Sequence, residues 1–258
     1  MADFTLIRKP AGSAAGKEHD VCSYAFFPGC TLAGSEPEIV IKIYDSILFQ
    51  HPDTAIFLQC CGEQGCCGDV PDGTSDSICE SWEALGKPVM IMACPDCCRR
   101  FRESLPQIPL ISLYEFLQQL NISGGCNSTD YTITYPESAE GDETTLSAVR
   151  ELAEDMGVTL HDDDGLSYPY MTCCMKQRNT LKLQGHDAVH ILELIFGMGE
   201  SNAHLAHEHE HEHDHDDEHV HSKCAPNEAA SAPLPDEKQQ AANRLELKQL
   251  LLSFFWNE

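Results

Sequence analysis

Three short apolar runs in the first part of the chain each end in cysteine. YAFF (Tyr24–Phe27) leads to Cys30 in FFPGC. TAIFL (Thr54–Leu58) leads to Cys60 and Cys61 in CCG, and PVMIMA (Pro88–Ala93) to Cys94 and Cys97 in CPDC. Segments of helical period separate the runs: Glu36–Gln50, with Ser35 as its expected N-cap, and Thr74–Gly86. A short helix CRRFRESL, a strand PLISL and a helix YEFLQQL close the series. Strands alternating with helices specify an α/β fold with a mainly parallel sheet. In such a sheet the carboxyl ends of the strands share one edge, where ligands bind. Cysteines far apart in sequence are thereby expected at one place.

A second, shorter pass follows the linker Asn121–Asp130. It contains a strand YTITY (Tyr131–Tyr135), a helix Thr144–Gly157, a strand VTLHD and a run PYMT into Cys173. The order of elements repeats. Ile111-Ser112-Leu113-Tyr114-Glu115-Phe116 in the first half matches Val189-His190-Ile191-Leu192-Glu193-Leu194 in the second. The pattern predicts two related halves, 23–123 and 130–200, the second a degenerate copy. Residues 1–22 are small and polar and are expected to be poorly ordered.

Beyond residue 200 the composition changes. The tract His204–His221 is low in complexity, and with the linker that follows it, residues 201–235 read as a disordered segment rich in His and acidic residues. His207, His209, His211, His213 and His215 alternate with carboxylates, a pattern expected to bind Zn or Ni weakly and exchangeably. Residues 236–258 read as an amphipathic C-terminal helix ending in Phe254, Phe255 and Trp256, expected to pack on its own domain or to serve as a docking element.

The formal net charge is -26. Such a surface repels nucleic acid and anionic membranes. No apolar run is long enough to cross a membrane, and the N-terminus has no signal-peptide core, so a cytoplasmic location is expected. There are 14 cysteines. In a reducing compartment they point to metal or redox chemistry rather than to disulfides. Five thiolates at three strand ends exceed what a tetrahedral zinc needs and suit an iron–sulfur cluster. A zinc-structured metal-binding protein is the rival reading. Cys22, Cys79, Cys126 and Cys224 stand outside the motifs.

The ordered set FFPGC, CCG and CPDC resembles the CCG-type cysteine-rich domain, found in an iron–sulfur subunit of heterodisulfide reductase and in iron–sulfur subunits of related oxidoreductases. The resemblance covers residues 23–123 and, more weakly, 130–200. It implies a non-cubane [4Fe-4S] cluster held by Cys30, Cys60, Cys61, Cys94 and Cys97. It further implies a redox subunit acting on a thiol or disulfide and an oxygen-sensitive site suited to an anaerobic host. A second CCG, Cys66-Cys67-Gly68, lies close by. Cys60 and Cys61 are preferred because they directly follow a strand. In the second half, Pro136-Glu137-Ser138 stands where the first cysteine belongs. Cys173 and Cys174 read as a remnant of the CCG pair without its glycine, with no CxxC after them, and as a candidate second redox pair. The chain has no ferredoxin-type cysteine run and no GxGxxG fingerprint. Its electrons are therefore expected from a separate flavoprotein or ferredoxin-like subunit.

Overall fold

Strand alternation, read residue by residue, shows how the two halves join. The computed structural model describes residues 5–6, 22–62, 73–125, 129–162, 168–197 and 234–255. The first half contains β1 (Thr5–Leu6), β2 (Tyr24–Phe27), α1 (Cys30–Ser35), α2 (Pro37–Gln50), β3 (Ala55–Phe57), α3 (Thr74–Ala84), β4 (Val89–Met92), α4 (Pro95–Ser104), β5 (Leu110–Ser112) and α5 (Leu113–Gln119). The second contains β6 (Asp130–Thr134), a 3-10 turn Glu137–Ala139, α6 (Glu143–Asp155), β7 (Thr159–His161), β8 (Tyr170–Thr172), α7 (Met175–Leu183), β9 (Ala188–His190) and α8 (Ile191–Phe196). Helix α9 (Glu237–Phe255) follows.

The sheets run β1-β3-β2-β4-β5 and β7-β6-β8-β9. Every pairing is parallel except that of β1 with β3. Without β1, each half has its second strand outermost, then its first, third and fourth. The duplication read from sequence is therefore present in the topology, and the fold is α/β as expected. Registers agree as well. Phe27, Met92 and Ser112 align across the first sheet, and Thr134, Thr172 and His190 across the second.

Two readings of the first half need correction. Within the N-terminal stretch expected to be poorly ordered, Thr5–Leu6 forms a strand on β3. Ser35 does not cap the long helix; it ends α1, and α2 starts at Pro37 with Glu36 at its N-cap. Pro37 suits that start, because its missing N–H is one the first turn leaves unpaired anyway.

Residues on one face of the first sheet (Ala25, Phe27, Ala55, Phe57, Met90 and Met92) pack with Ile78, Trp82 and Phe101 of α3 and α4. The alternate residues Phe26, Ile56 and Ile91 face a second core, which also takes Tyr131, Ile133 and Met171 from the second sheet. Helices α2, α5, α6 and α8 fill the space between. Helix α2 packs with α8 and α5 with α6; near the strand ends α1 packs with α7 and α4 with the 3-10 turn. Exchanging the halves turns the first of these pairs into the second and the third into the fourth. The halves are therefore related by an approximate two-fold.

Arg178 of α7 fastens this interface. Its buried guanidinium donates to Glu36 at 2.9 Å and to both carboxylate oxygens of Glu193. Asn179 donates to Ser35 Oγ at 3.1 Å. Removing one member of a buried ion pair leaves the other charge uncompensated. Arg178→Leu is expected to lower unfolding stability by about 3 kcal/mol, measured by chemical denaturation.

His190 accepts from the backbone N–H of Leu192 through Nδ1 at 3.1 Å, while Glu193 accepts from the His190 N–H at 2.7 Å. Ser112 caps α5 at the matching position. Burial lowers the His190 pKa from 6.5 to about 4, Glu193 opposing and Arg178 reinforcing the shift. The unfolded chain thus takes up this proton first as pH falls through 6.5, and the folded state only near 4. Stability is unaffected at pH 7 and is lost progressively between those values, by about 3 kcal/mol at most. His190→Asn, which keeps a capping group, is expected to lose correspondingly less stability between pH 7 and pH 4, measured as the shift in urea midpoint.

Candidate functional site

The strand ends deliver the cysteines as the spacing predicts, each by a different local device. After β2 the chain turns at Gly29, with φ of 80°, and Cys30 opens α1. A side chain at Gly29 would bring its Cβ to 3.1 Å from Cys94 Cβ and 3.5 Å from Cys97 Sγ. Glycine is needed here both for the left-handed φ and for the close approach of two cysteines. After β3 the chain reaches Cys60 and Cys61 and turns at Gly62, with φ of 82°. The Gly62 N–H points to Cys60 Sγ at 3.4 Å. After β4, Cys94 forms the N-cap of α4 and Cys97 lies in its first turn.

The thiols of Cys61, Cys97, Cys94 and Cys174 then form a file. Cys97 is hydrogen-bonded to Cys61 and to Cys94, and Cys94 to Cys174. Bonds from the Cys174 and Cys97 thiols hold the Cys94 thiol well below its ordinary pKa. The Cys97 thiol is pushed up by its bonds to Cys61 and Cys94 and by burial. The Cys174 thiol is pushed up by its bond to Cys94 and by burial. Cys61 and Cys97 are buried, while Cys94 is partly exposed. Cys30 is buried nearby, its Sγ 4.0 Å from the Gln59 carbonyl oxygen. None of the ten cysteines among the described residues forms a disulfide. Among the described residues, no three His, Cys, Asp or Glu side chains are grouped as ligands of a metal ion.

The sequence suggests Cys174 as part of a CCG remnant. The register instead equates it with Cys94: Thr172 aligns with His190 as Met92 aligns with Ser112, so Cys174 follows β8 as Cys94 follows β4. Both residues cap their helices. Gln177 then takes the place of Cys97, and Glu137 that of Cys30. Gln177 donates to Thr134 Oγ1 at 3.2 Å and accepts from Thr172 Oγ1, tying the ends of β6 and β8 with hydrogen bonds. Cys173 and Cys174 do not share surroundings. Cys173 belongs to the core between the halves, whereas Cys174 meets Cys94. Burial pushes the Cys173 thiol up to about 12.

Tyr114 is a site residue that sequence reasoning missed. Its buried hydroxyl donates to the Cys173 carbonyl at 2.7 Å and lies 3.3 Å from the Ala93 carbonyl. It therefore spans the two strand ends that carry Cys94 and Cys174. The only signal is an aromatic residue at the start of α5, and nothing in the sequence names a partner in the other half.

An open cleft of about 550 Å³ runs along the half interface beside Cys174. Its lining includes Arg99, Glu137, Ser138, Cys174, Lys176 and Gln177. Helix α9 packs on α1 and α2 of the same chain, so the packing reading of this helix holds for its described part. Asn243 donates to the Gly34 carbonyl at 2.7 Å and Arg244 to the Cys30 carbonyl at 3.4 Å, while Leu247 and Leu251 enter the shared core. Cys66, Cys67 and His207, His209, His211, His213 and His215 lie outside the described residues. Among the described residues no helix is long and apolar enough to cross a membrane. Comparison with protein families, curated proteins and solved structures gives no match.

Gly29→Ala is expected to cost at least about 1 kcal/mol, since the added carbon meets both a positive φ and Cys94. Thermal unfolding of the variant measures this.

Proposed function

We propose that the chain is an iron–sulfur redox subunit whose cluster is held by the first-half cysteines Cys30, Cys60, Cys61, Cys94 and Cys97. The observation that carries the reading is the convergence of all three motifs on the carboxyl edge of one parallel sheet, with Cys61, Cys97 and Cys94 in contact. The fit rests on the donor chemistry and on the backbone. Soft thiolates select iron–sulfur clusters, Cu(I) or Zn. Gly29 draws the chain close to Cys94 and Cys97, where a side chain would intrude. A bound cluster supplies one-electron transfer. The protein's own part is to hold the thiols at one edge, bury Cys61 and Cys97 away from water, and leave Cys94 partly exposed.

The substrate side of the proposal is a thiol or disulfide, with the cleft at Cys174 as its point of approach. The cleft wall carries both signs of charge, Arg99 and Lys176 beside Asp96, Glu137 and Glu140. Electrons come from a flavoprotein or ferredoxin-like partner. A cytoplasmic setting keeps the thiols reduced and available as ligands.

The test is iron, acid-labile sulfide and zinc content of anaerobically purified full-length protein, with its EPR spectrum. About four irons and four sulfides per chain are expected, lost in Cys61→Ala and kept in Cys67→Ala. Zinc without sulfide overturns the proposal.

A further inference from the structure

Of the five ligand positions the second half has kept one thiol: no cysteine lies between β7 and β8, where the counterparts of Cys60 and Cys61 belong, and two further positions are changed. Glu137 replaces the counterpart of Cys30, and Gln177 replaces that of Cys97. Gln177 is engaged by Thr134 and Thr172, so the position is filled by a polar brace. Cys174 remains. It is 1% exposed, which makes it a poor nucleophile toward anything in solution, although it borders the cleft. Its thiol is hydrogen-bonded to Cys94 of the other half.

The juxtaposition is built rather than incidental. Cys94 and Cys174 are counterparts under the approximate two-fold, and packing of α1 on α7 and of α4 on the 3-10 turn brings their helix starts together. Tyr114 then fixes the residues just before them, through the carbonyls of Ala93 and Cys173. The Cys174 N–H donates to Thr172 Oγ1 at 3.2 Å, and the same hydroxyl is held by Gln177. Adjacent Cys173 faces apolar side chains. Cys173 interacts through space with the charge of Cys94 and Cys98, but of the vicinal pair it is Cys174 that is hydrogen-bonded to Cys94.

From this arrangement we infer that Cys174 is a ligand contributed by the second half to the metal group of the first, making the site a shared one that bridges the interface. The inference rests on the iron–sulfur reading above. It gives the degenerate half a chemical role. That half supplies one thiolate and one wall of the cleft, while the first half supplies the other ligands. It also couples the metal to the cohesion of the halves, because a group bound by both stabilises their association by mass action.

The experiment compares full-length wild type with Cys174→Ser, Cys174→Ala and Cys173→Ala, purified anaerobically. Iron, sulfide, EPR and Tm with and without chelator are recorded for each. The expected result is loss of more than half of the iron or changed EPR g values in both Cys174 variants. Cys173→Ala is expected to match wild type in both. The fall in Tm on chelation should shrink in the Cys174 variants. Serine keeps the size of the residue, so Cys174→Ser carries the test if the alanine variant does not fold. Wild-type iron content, EPR and chelator response in Cys174→Ser overturn the inference and leave the iron–sulfur reading standing. Absence of iron and sulfide from wild type overturns both.

Discussion

The apolar layer shared by the two sheets is the constraint on which the remaining architecture depends. Phe26, Ile56 and Ile91 from one sheet and Tyr131, Ile133 and Met171 from the other bury against the same four helices. At about 25 cal/mol per Å² of apolar surface, separating the halves would forfeit a large part of the driving force for folding. Neither half has a complete core without the other. The layer also sets the angle at which the halves meet. Once α2 lies on α8 and α5 on α6, the carboxyl edges of the sheets become neighbours, and Cys94 and Cys174 are brought together.

Around this layer the halves have diverged in a physically consistent way. The outer face of the first sheet is apolar and is covered by α3 and α4, which places Cys61 and Cys97 in a dry setting. At matching registers the second sheet carries Thr132, Thr134 and Thr172. Hydroxyls favour hydrogen bonding over apolar cover, and Gln177 provides it for Thr134 and Thr172. Residues 58–88 separate β3 from β4 and carry α3, whereas only 162–169 separate β7 from β8. The second half is thus a thinner copy that backs the first, and its charged contributions, led by Arg178, point into the interface.

Much of this was legible in the sequence because it is local or periodic. Apolar runs marked the strands, motif position relative to each run marked the thiol-bearing edge, and the match of Ile111–Phe116 to Val189–Leu194 revealed the duplication. The structure sets Ser112 against His190 at the N-caps of corresponding helices, as that match requires. The misreadings have equally local origins. Ser35 resembles an N-cap because small polar residues favour both caps and the ends of short helices. Cys173 and Cys174 resemble a CCG pair because adjacency is all that sequence shows, whereas register decides which strand they follow.

The α/β class, the repeat and the placement of Cys30, Cys60, Cys61, Cys94 and Cys97 after strands of one sheet follow from chain order, since periodicity and parallel topology act through it. Tertiary structure alone decided that Cys174 meets Cys94, that Cys173 turns into the core, that Tyr114 ties the two strand ends, and that α9 lies over α1. These contacts join residues from different halves, or from a distant terminal helix. They depend on how apolar faces interdigitate, and side-chain packing leaves no periodic trace in the chain that makes it.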